Sequence, residues 1–176
     1  WPAERVAALC DALAAKGLPI VLTSAPDANE MALIAAVQAA RVAVACPRSR
    51  YTRDSASRRA SDVPGTQSES ASTLDFSGQL SLKELAALAA RARLFVGVDS
   101  APMHIAAAMG TPTVGIFGPS GDREWGPWDN EGGGRHRVVA SLNHPCRPCG
   151  RAGCEDSKVS DCLTSLPVAQ VLAACL

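Results

Sequence analysis

Apolar residues along this chain recur at two spacings, and the alternation between them predicts its elements. In AERVAALCDALAA (residues 3–15), Val6, Leu9, Cys10 and Leu13 fall three and four apart, the period of one helix face. Gly17 is placed to stop that helix, and PIVLT (19–23) is a short bounded apolar run, read as a buried strand. Met31, Ile34 and Val37 restore helical spacing over residues 30–40, and VAVA (42–45) reads as a further short strand. LDF (74–76) is another. Ser81 is placed to cap a helix over 82–93, with Leu82, Leu85, Leu88 and Ala89 as its buried stripe. LFVGV (94–98), PTVGIF (112–117) and VVA (138–140) read as strands. Residues 101–109 read as a helix with Gly110 just beyond its end, and residues 167–176 as a closing helix with Pro167 near its first turn.

Short apolar strands separated by helices predict an α/β fold: a doubly wound, Rossmann-like parallel sheet covered on both faces. Ligands of such sheets sit beyond the carboxyl ends of the strands. Residues 47–73 break the rhythm. PRSRYTRDSASRRASDVPGTQSESAST is rich in Ser, Arg and Asp and offers almost nothing to bury. It is expected to be a flexible loop or insertion inside a single domain spanning residues 1–176, with a regulatory or acceptor-binding role for its arginines as the alternative.

The balance of 17 basic and 17 acidic side chains argues against a nucleic-acid partner, and three Trp, three Phe and one Tyr leave few surfaces for stacking bases. No apolar run approaches the roughly 18 residues of a membrane span. The start at Trp1, without Met or a basic-then-apolar leader, points to a fragment or a processed product.

Candidate chemistry concentrates where one strand is expected to end. In LFVGVDSAPMHIAAAMGTPTVGIFG (94–118), Asp99 and Ser100 follow an apolar run and His104 lies one helical turn on. Ser100 is placed to cap the next helix, and Pro102 suits its first turn. Free N–H groups and the helix dipole at such a terminus attract a phosphate or diphosphate. Asp and Ser are also ordinary helix caps and a helical His is commonly structural, so spacing alone leaves both readings open.

The whole string, with Pro119 and Ser120 after its Gly118, resembles the signature of the lipopolysaccharide heptosyltransferases, glycosyltransferase family 9. Their pattern runs D-[ST]-G-x-x-H-x-A-A-A-x-G-x-P, then a strand, then F-G-P-[ST]. The chain departs from it at Ala101, where the family usually has Gly. WGPW (125–128) resembles the segment after that turn, and HPCRPCGRAGCEDSKVSDCL (144–163) resembles the Cys-rich stretch of type III members. The opening WPAERVAALCDALAAKGLPIVLTSAPDANE is similar to the start of the family's C-terminal domain.

This resemblance implies the C-terminal, donor-binding half of a GT-B fold. The partner ligands would be ADP-L-glycero-D-manno-heptose as donor and the lipopolysaccharide inner core as acceptor. The family's N-terminal acceptor domain, with its proposed general base, is not contained in these residues, so the implied domain is expected to bind ADP weakly and not to transfer alone. The implied reaction inverts the anomeric centre and needs no cofactor. The implied setting is the cytoplasm of a Gram-negative bacterium, peripheral to the inner membrane through the acceptor. By the same carry-over, Asp99 would face sugar or diphosphate, Ser100 and Ala101 the phosphates, and His104 the donor near them. Glu30 would hold the ribose hydroxyls, unless it is an exposed carboxylate at a helix start. Ser81 and Leu82 would flank adenine, unless they cap and pack. Gly118, Pro119 and Ser120 would line the sugar pocket, unless they form a plain turn. Trp125 and Trp128 would anchor the 119–136 loop or stack on sugar. The other reading of the chain is a non-catalytic nucleotide-binding or Cys-cluster interaction module of the same fold.

Seven cysteines are many for this length. Cys146, Cys149, Cys154 and Cys162 give C-x2-C-x4-C-x7-C, enough thiolates for a structural zinc, although the second pair is wider than the usual C-x2-C. Reduced packing thiols and disulfide or redox pairs are the alternatives. Cys10, Cys46 and Cys175 read as small apolar core residues.

Overall fold

A computed structural model describes residues 1–45, 73–129, 132 and 134–176. The element order is α1 (Ala3–Ala14), β1 (Ile20–Leu22), α2 (Ala28–Ala45), β2 (Thr73–Asp75), α3 (Leu82–Arg91), β3 (Phe95–Val98), α4 (Ala101–Ala108), β4 (Thr113–Phe117), α5 (Asp122–Trp125), β5 (Arg137–Ala140), α6 (Asp161–Thr164) and α7 (Val168–Cys175). A single 3-10 turn, Cys154–Asp156, precedes α6. The Ser- and Arg-rich segment expected as an insertion lies outside the described residues, except for Thr73 at the start of β2.

Among the described residues all strands pair in parallel, as the bounded apolar runs predict. The ladder is in two parts, β1–β2 and β3–β4–β5. The central strand β4 is buried along its whole length, which explains its uninterrupted apolar run. Its Val114 and Ile116 join Val139 of β5, Ile20 and Leu22 of β1, and residues of α1, α2 and α7 in one core. On α4, Met103, Ala106 and Ala107 are buried. The small alanines let α4 lie close against β3 and β4.

Gly97 of β3 stands opposite Gly115 of β4. Each is covered by an aromatic ring two residues away on its own strand: a Cβ on Gly97 would lie 2.7 Å from the Phe95 ring, and one on Gly115 would lie 2.9 Å from the Phe117 ring. The two glycines therefore mark places where rings fold back over the strands.

Two expectations fail here. VAVA (42–45) is not a strand but the last turn of α2. Four apolar residues have no period of their own, and extending a helix already formed costs less than starting a new element. Leu82 is not in the buried stripe of α3: it is 68% exposed, while Ala89 is buried and Leu85 and Leu88 are half-buried. The cause is the cap. Ser81 accepts from the Glu84 amide and Glu84 accepts from the Ser81 amide and hydroxyl, a complete capping box that places Leu82 at the first helical position, before the packed face begins. Those hydrogen bonds from Ser81 hold the Glu84 carboxyl below the usual carboxylate range.

The buried Thr111 joins α3 to β4. Its hydroxyl donates to the Ala89 carbonyl at 2.7 Å, from the loop that leads into β4. Replacing Thr111 by Val keeps the shape and removes one of two donors to that carbonyl, which still accepts from the Ala92 amide at 2.9 Å. The expected loss is about 0.5–1.5 kcal/mol of stability, read from the urea midpoint. An unchanged midpoint would show that the Ala92 amide alone satisfies the carbonyl.

Candidate functional site

The carboxyl ends of β3 and β4 open side by side, and the predicted residues are carried there. β3 ends at Val98, and the Asp99 amide donates one last ladder bond to the Ile116 carbonyl at 3.3 Å. The chain then turns through Ser100, in extended conformation, into α4. Ser100 holds the N-cap position but does not cap with its side chain, contrary to expectation. Its hydroxyl donates back to the Val98 carbonyl at 3.0 Å. With Pro102 in the first turn, the amides of Ser100 and Ala101 have no hydrogen-bond partner among the described residues. This leaves the helix start with unspent donors and the positive end of its dipole facing outward. His104, one turn on, brings Nε2 to 3.5 Å from Asp99 Oδ1. Both side chains keep contact with solvent, 41% exposed for His104 and 25% for Asp99.

Beside this turn is an open cavity of about 380 Å³. Asp99 and Val98 form one side, and Gly118, Pro119 and Ser120, which follow β4, form the floor. The structure thus brings together four of the residues that the sequence singled out: Asp99, Gly118, Pro119 and Ser120. Ser100, Ala101 and His104 stand next to the cavity through Asp99, without lining it. Gly118 is buried against Leu163, which a Cβ there would approach to 3.1 Å.

The opposite wall is absent from the sequence-based set: Gly150, Arg151, Ala152 and Leu163. It comes from the Cys-rich segment, which spacing singled out for zinc, packing thiols or disulfide and redox pairs and not for the cleft. The Gly150 amide donates to the Pro119 carbonyl at 2.9 Å. Arg147, whose side chain is only 9% exposed, reaches across to the Gly118 carbonyl, to the Ser141 carbonyl at 3.2 Å and to Asp122 at 3.0 Å. Arg151 is exposed and brings a positive charge to a cavity whose other ionisable lining group is Asp99. The net arrangement is a cleft with amide donors and a cation near one carboxylate, suited to an anionic ligand that also carries hydroxyls.

Other predicted residues lie elsewhere. Glu30 is at the start of α2, and its carboxylate accepts from the Ala25 amide at 2.7 Å. Ser81 and Leu82 are at the start of α3, exposed, outside the cavity lining. Trp125 and Trp128 are 59% and 73% exposed, so neither anchors its loop by burial.

Cys146, Cys149, Cys154 and Cys162 line a neighbouring cavity of about 500 Å³, together with His144 and Arg151. Burial pushes the Cys162 thiol up, opposed by the nearby Arg147 and reinforced by the other three thiols. Cys10 is buried in the core and its thiol is raised by burial; Cys175 is half-buried and raised to about 11 for the same reason. Both fit the expected packing role. Cys46 lies outside the described residues. Among the described residues, no helix is long and apolar enough to cross a membrane.

Residues 31–160 match the profile of glycosyltransferase family 9 (heptosyltransferase). Over 130 residues the chain is 34% identical to lipopolysaccharide heptosyltransferase 3 of Escherichia coli, which covers 74% of this chain and 30% of that protein. It is 34% identical over 96 residues to lipopolysaccharide heptosyltransferase 1 of Pseudomonas aeruginosa, 51% of this chain and 26% of that protein. The chain therefore spans about 30% of the length of the curated relatives it matches. Its fold superposes on the ADP-heptose lipopolysaccharide heptosyltransferase II of Escherichia coli with a TM-score of 0.67, at 20% identity, over 99% of this chain and 40% of that one. A family 9 glycosyltransferase of Veillonella parvula gives 0.65 at 21% identity, with the same coverage. These neighbours have the GT-B type of fold, and this chain has the architecture of one Rossmann-like half of it. The family profile runs through the Asp99 turn, both walls of the cavity up to Ala152, and most of the chain between, and the chain belongs to glycosyltransferase family 9, the heptosyltransferases.

Proposed function

We propose that this chain is the donor-binding part of an inverting glycosyltransferase that moves heptose from ADP-L-glycero-D-manno-heptose to the lipopolysaccharide inner core. The observation that supports it best is the convergence of Asp99 and Gly118-Pro119-Ser120 on one cavity beside the open start of α4. The unspent amides of Ser100 and Ala101 suit the diphosphate. Charge growing on the outer phosphate as ADP leaves would meet donors already in place, without reorganisation. Asp99 and the floor of the cavity suit the sugar, whose hydroxyls can donate to a carboxylate. His104, within reach of Asp99, keeps that carboxylate oriented or contacts the phosphate itself. Ala101 in place of the family's Gly adds a methyl group near the backbone that approaches the phosphate. No residue of this chain is assigned as the base. The attacking hydroxyl is the acceptor's own, and the base and the acceptor surface belong to the part of the enzyme that these residues do not span, as does any contact with the inner membrane.

Calorimetric titration with ADP, UDP and GDP tests the reading. Saturable binding selective for ADP is expected. Equal binding of all three would make this a general diphosphate site. Absence of binding, both here and in the chain extended to the full length of its relatives, would favour a non-catalytic module of the same fold.

A further inference from the structure

We propose that Cys146, Cys149, Cys154 and Cys162 form a structural tetrathiolate site for a zinc-class divalent cation, which clamps the 144–162 loop against the cleft. All four cysteines line one cavity, though they come from a stretch of chain with only one 3-10 turn and the start of α6 as regular structure. That stretch is folded tightly by backbone devices. Gly150, directly after the second Cys, has φ +66, a left-handed conformation that favours glycine behind the Cys146/Cys149 pair. Gly153, directly before the third, has φ +142, and a Cβ there would lie 2.5 Å from the Lys158 amide nitrogen. Glu155 and Lys158 adopt φ 51 and φ 60, a costly region for side chains that are not glycine. This strained turn closes on Cys154. Its amide donates to the Val159 carbonyl at 2.8 Å, and its sulfur accepts from the Asp161 amide at 3.4 Å. An amide already aimed at that sulfur is the kind of support metal-bound thiolates receive. The six described cysteines are all free thiols.

The charges also fit. Four thiols give up one proton each on binding a divalent cation and leave a doubly negative centre. Arg147 and Arg151 flank it, one nearly buried and held by Asp122, the other lining both cavities. As placed, no three of the described His, Cys, Asp and Glu side chains already converge on a common point. Cys146 and Cys149 are exposed, on a segment without helix or strand, and rotation between staggered side-chain wells is the movement available to them. The consequence lies in the cleft: Gly150 holds Pro119 and Arg147 holds Gly118, so fixing this loop fixes the floor and far wall of the anion-binding cavity.

The test is metal content of the chain after passage over a chelating resin, with Co²⁺ titration of the metal-stripped chain. About one zinc per chain is expected, together with the thiolate-to-cobalt charge-transfer band and the visible bands of tetrahedral cobalt. Cys149→Ser and Cys154→Ser should each lose them, and Cys175→Ser should keep them. Should a variant fail to fold, limited trypsin digestion of the unmodified chain decides: stripping the metal should speed cleavage at Arg151 and Lys158, and zinc should reverse it. Metal-free thiols without a cobalt spectrum, Cys–Cys bridges by mass spectrometry, or the visible absorbance of an iron–sulfur cluster would each overturn the assignment.

Discussion

Replacing Phe117 by Ala is expected to remove about 3–5 kcal/mol of stability, a large share of the ~5–15 kcal/mol that holds an ordinary domain together. Phe117 is fully buried and is the last residue of β4, the strand flanked on both sides by hydrogen-bonded neighbours. Its ring fills the space over Gly115, which has no side chain to relax into the gap. The void therefore persists, and the loss includes a cavity term beyond transfer from water. Urea unfolding followed by circular dichroism measures it. Phe117→Leu, which retains most of the volume, should cost less than about 1.5 kcal/mol. A loss near 1 kcal/mol for the Ala variant would mean that α4 collapses onto β4. The effect reaches the cleft, because the next three residues are its floor.

What could be read from the chain follows from how local each signal is. β4 and α4 declare themselves in a few consecutive residues: a bounded apolar run, a Pro in the first turn, a Gly at φ +74 past the end. The Asp99 turn is legible for the same reason, because strand end, carboxylate and helix start are neighbours in sequence. VAVA failed because four apolar residues carry no period, and Leu82 failed because a helical period places residues on faces without saying where packing begins. The Ser100 hydroxyl was a choice between two local partners, the α4 amides or the Val98 carbonyl, and composition does not decide between them. The far wall of the cavity was hidden by distance. Arg151 lies 52 positions after Asp99, and bonds such as those from Gly150 to Pro119 and from Arg147 to Gly118 bring that loop to the strand ends. A signal was present, since a Cys-rich segment with two arginines among its thiols is unusual. It pointed to zinc, packing thiols or disulfides, and the cavity it also lines is a tertiary fact.

The two structural readings of the Cys-rich loop are not rivals. A loop that borders a cleft pays conformational entropy each time a ligand orders it. Backbone bonds to Pro119 and Gly118 remove part of that cost in advance, and Arg147, nearly buried and paired with Asp122, has lost its freedom already. Arg151 is exposed and lines both cavities, so a firmer hold on the neighbouring thiols would also restrict Arg151.

Substitution of Asp99 by Ala is expected to weaken binding of the proposed donor about 10- to 100-fold, the loss of hydrogen bonds to one charged group. The size of the effect on ADP alone carries the information. If Asp99 serves the sugar, the Ala variant loses affinity for ADP-heptose and keeps its affinity for ADP, or gains slightly as a negative charge leaves the neighbourhood of the diphosphate. If it acts only by orienting His104, which it faces at 3.5 Å, then Asp99→Ala and His104→Ala should lower both affinities alike, and the double variant should lose no more than either single one. The local ladder is kept in these variants: its bond at this position comes from the Asp99 amide, which every substitution but Pro retains. Asp99→Asn preserves the shape and one acceptor, so it should recover part of the sugar-dependent loss. Paired titrations of the four variants with ADP and ADP-heptose separate these outcomes. Unchanged affinity for both ligands in a folded Ala variant would remove Asp99 from the site and move the proposed donor pocket away from the end of β3.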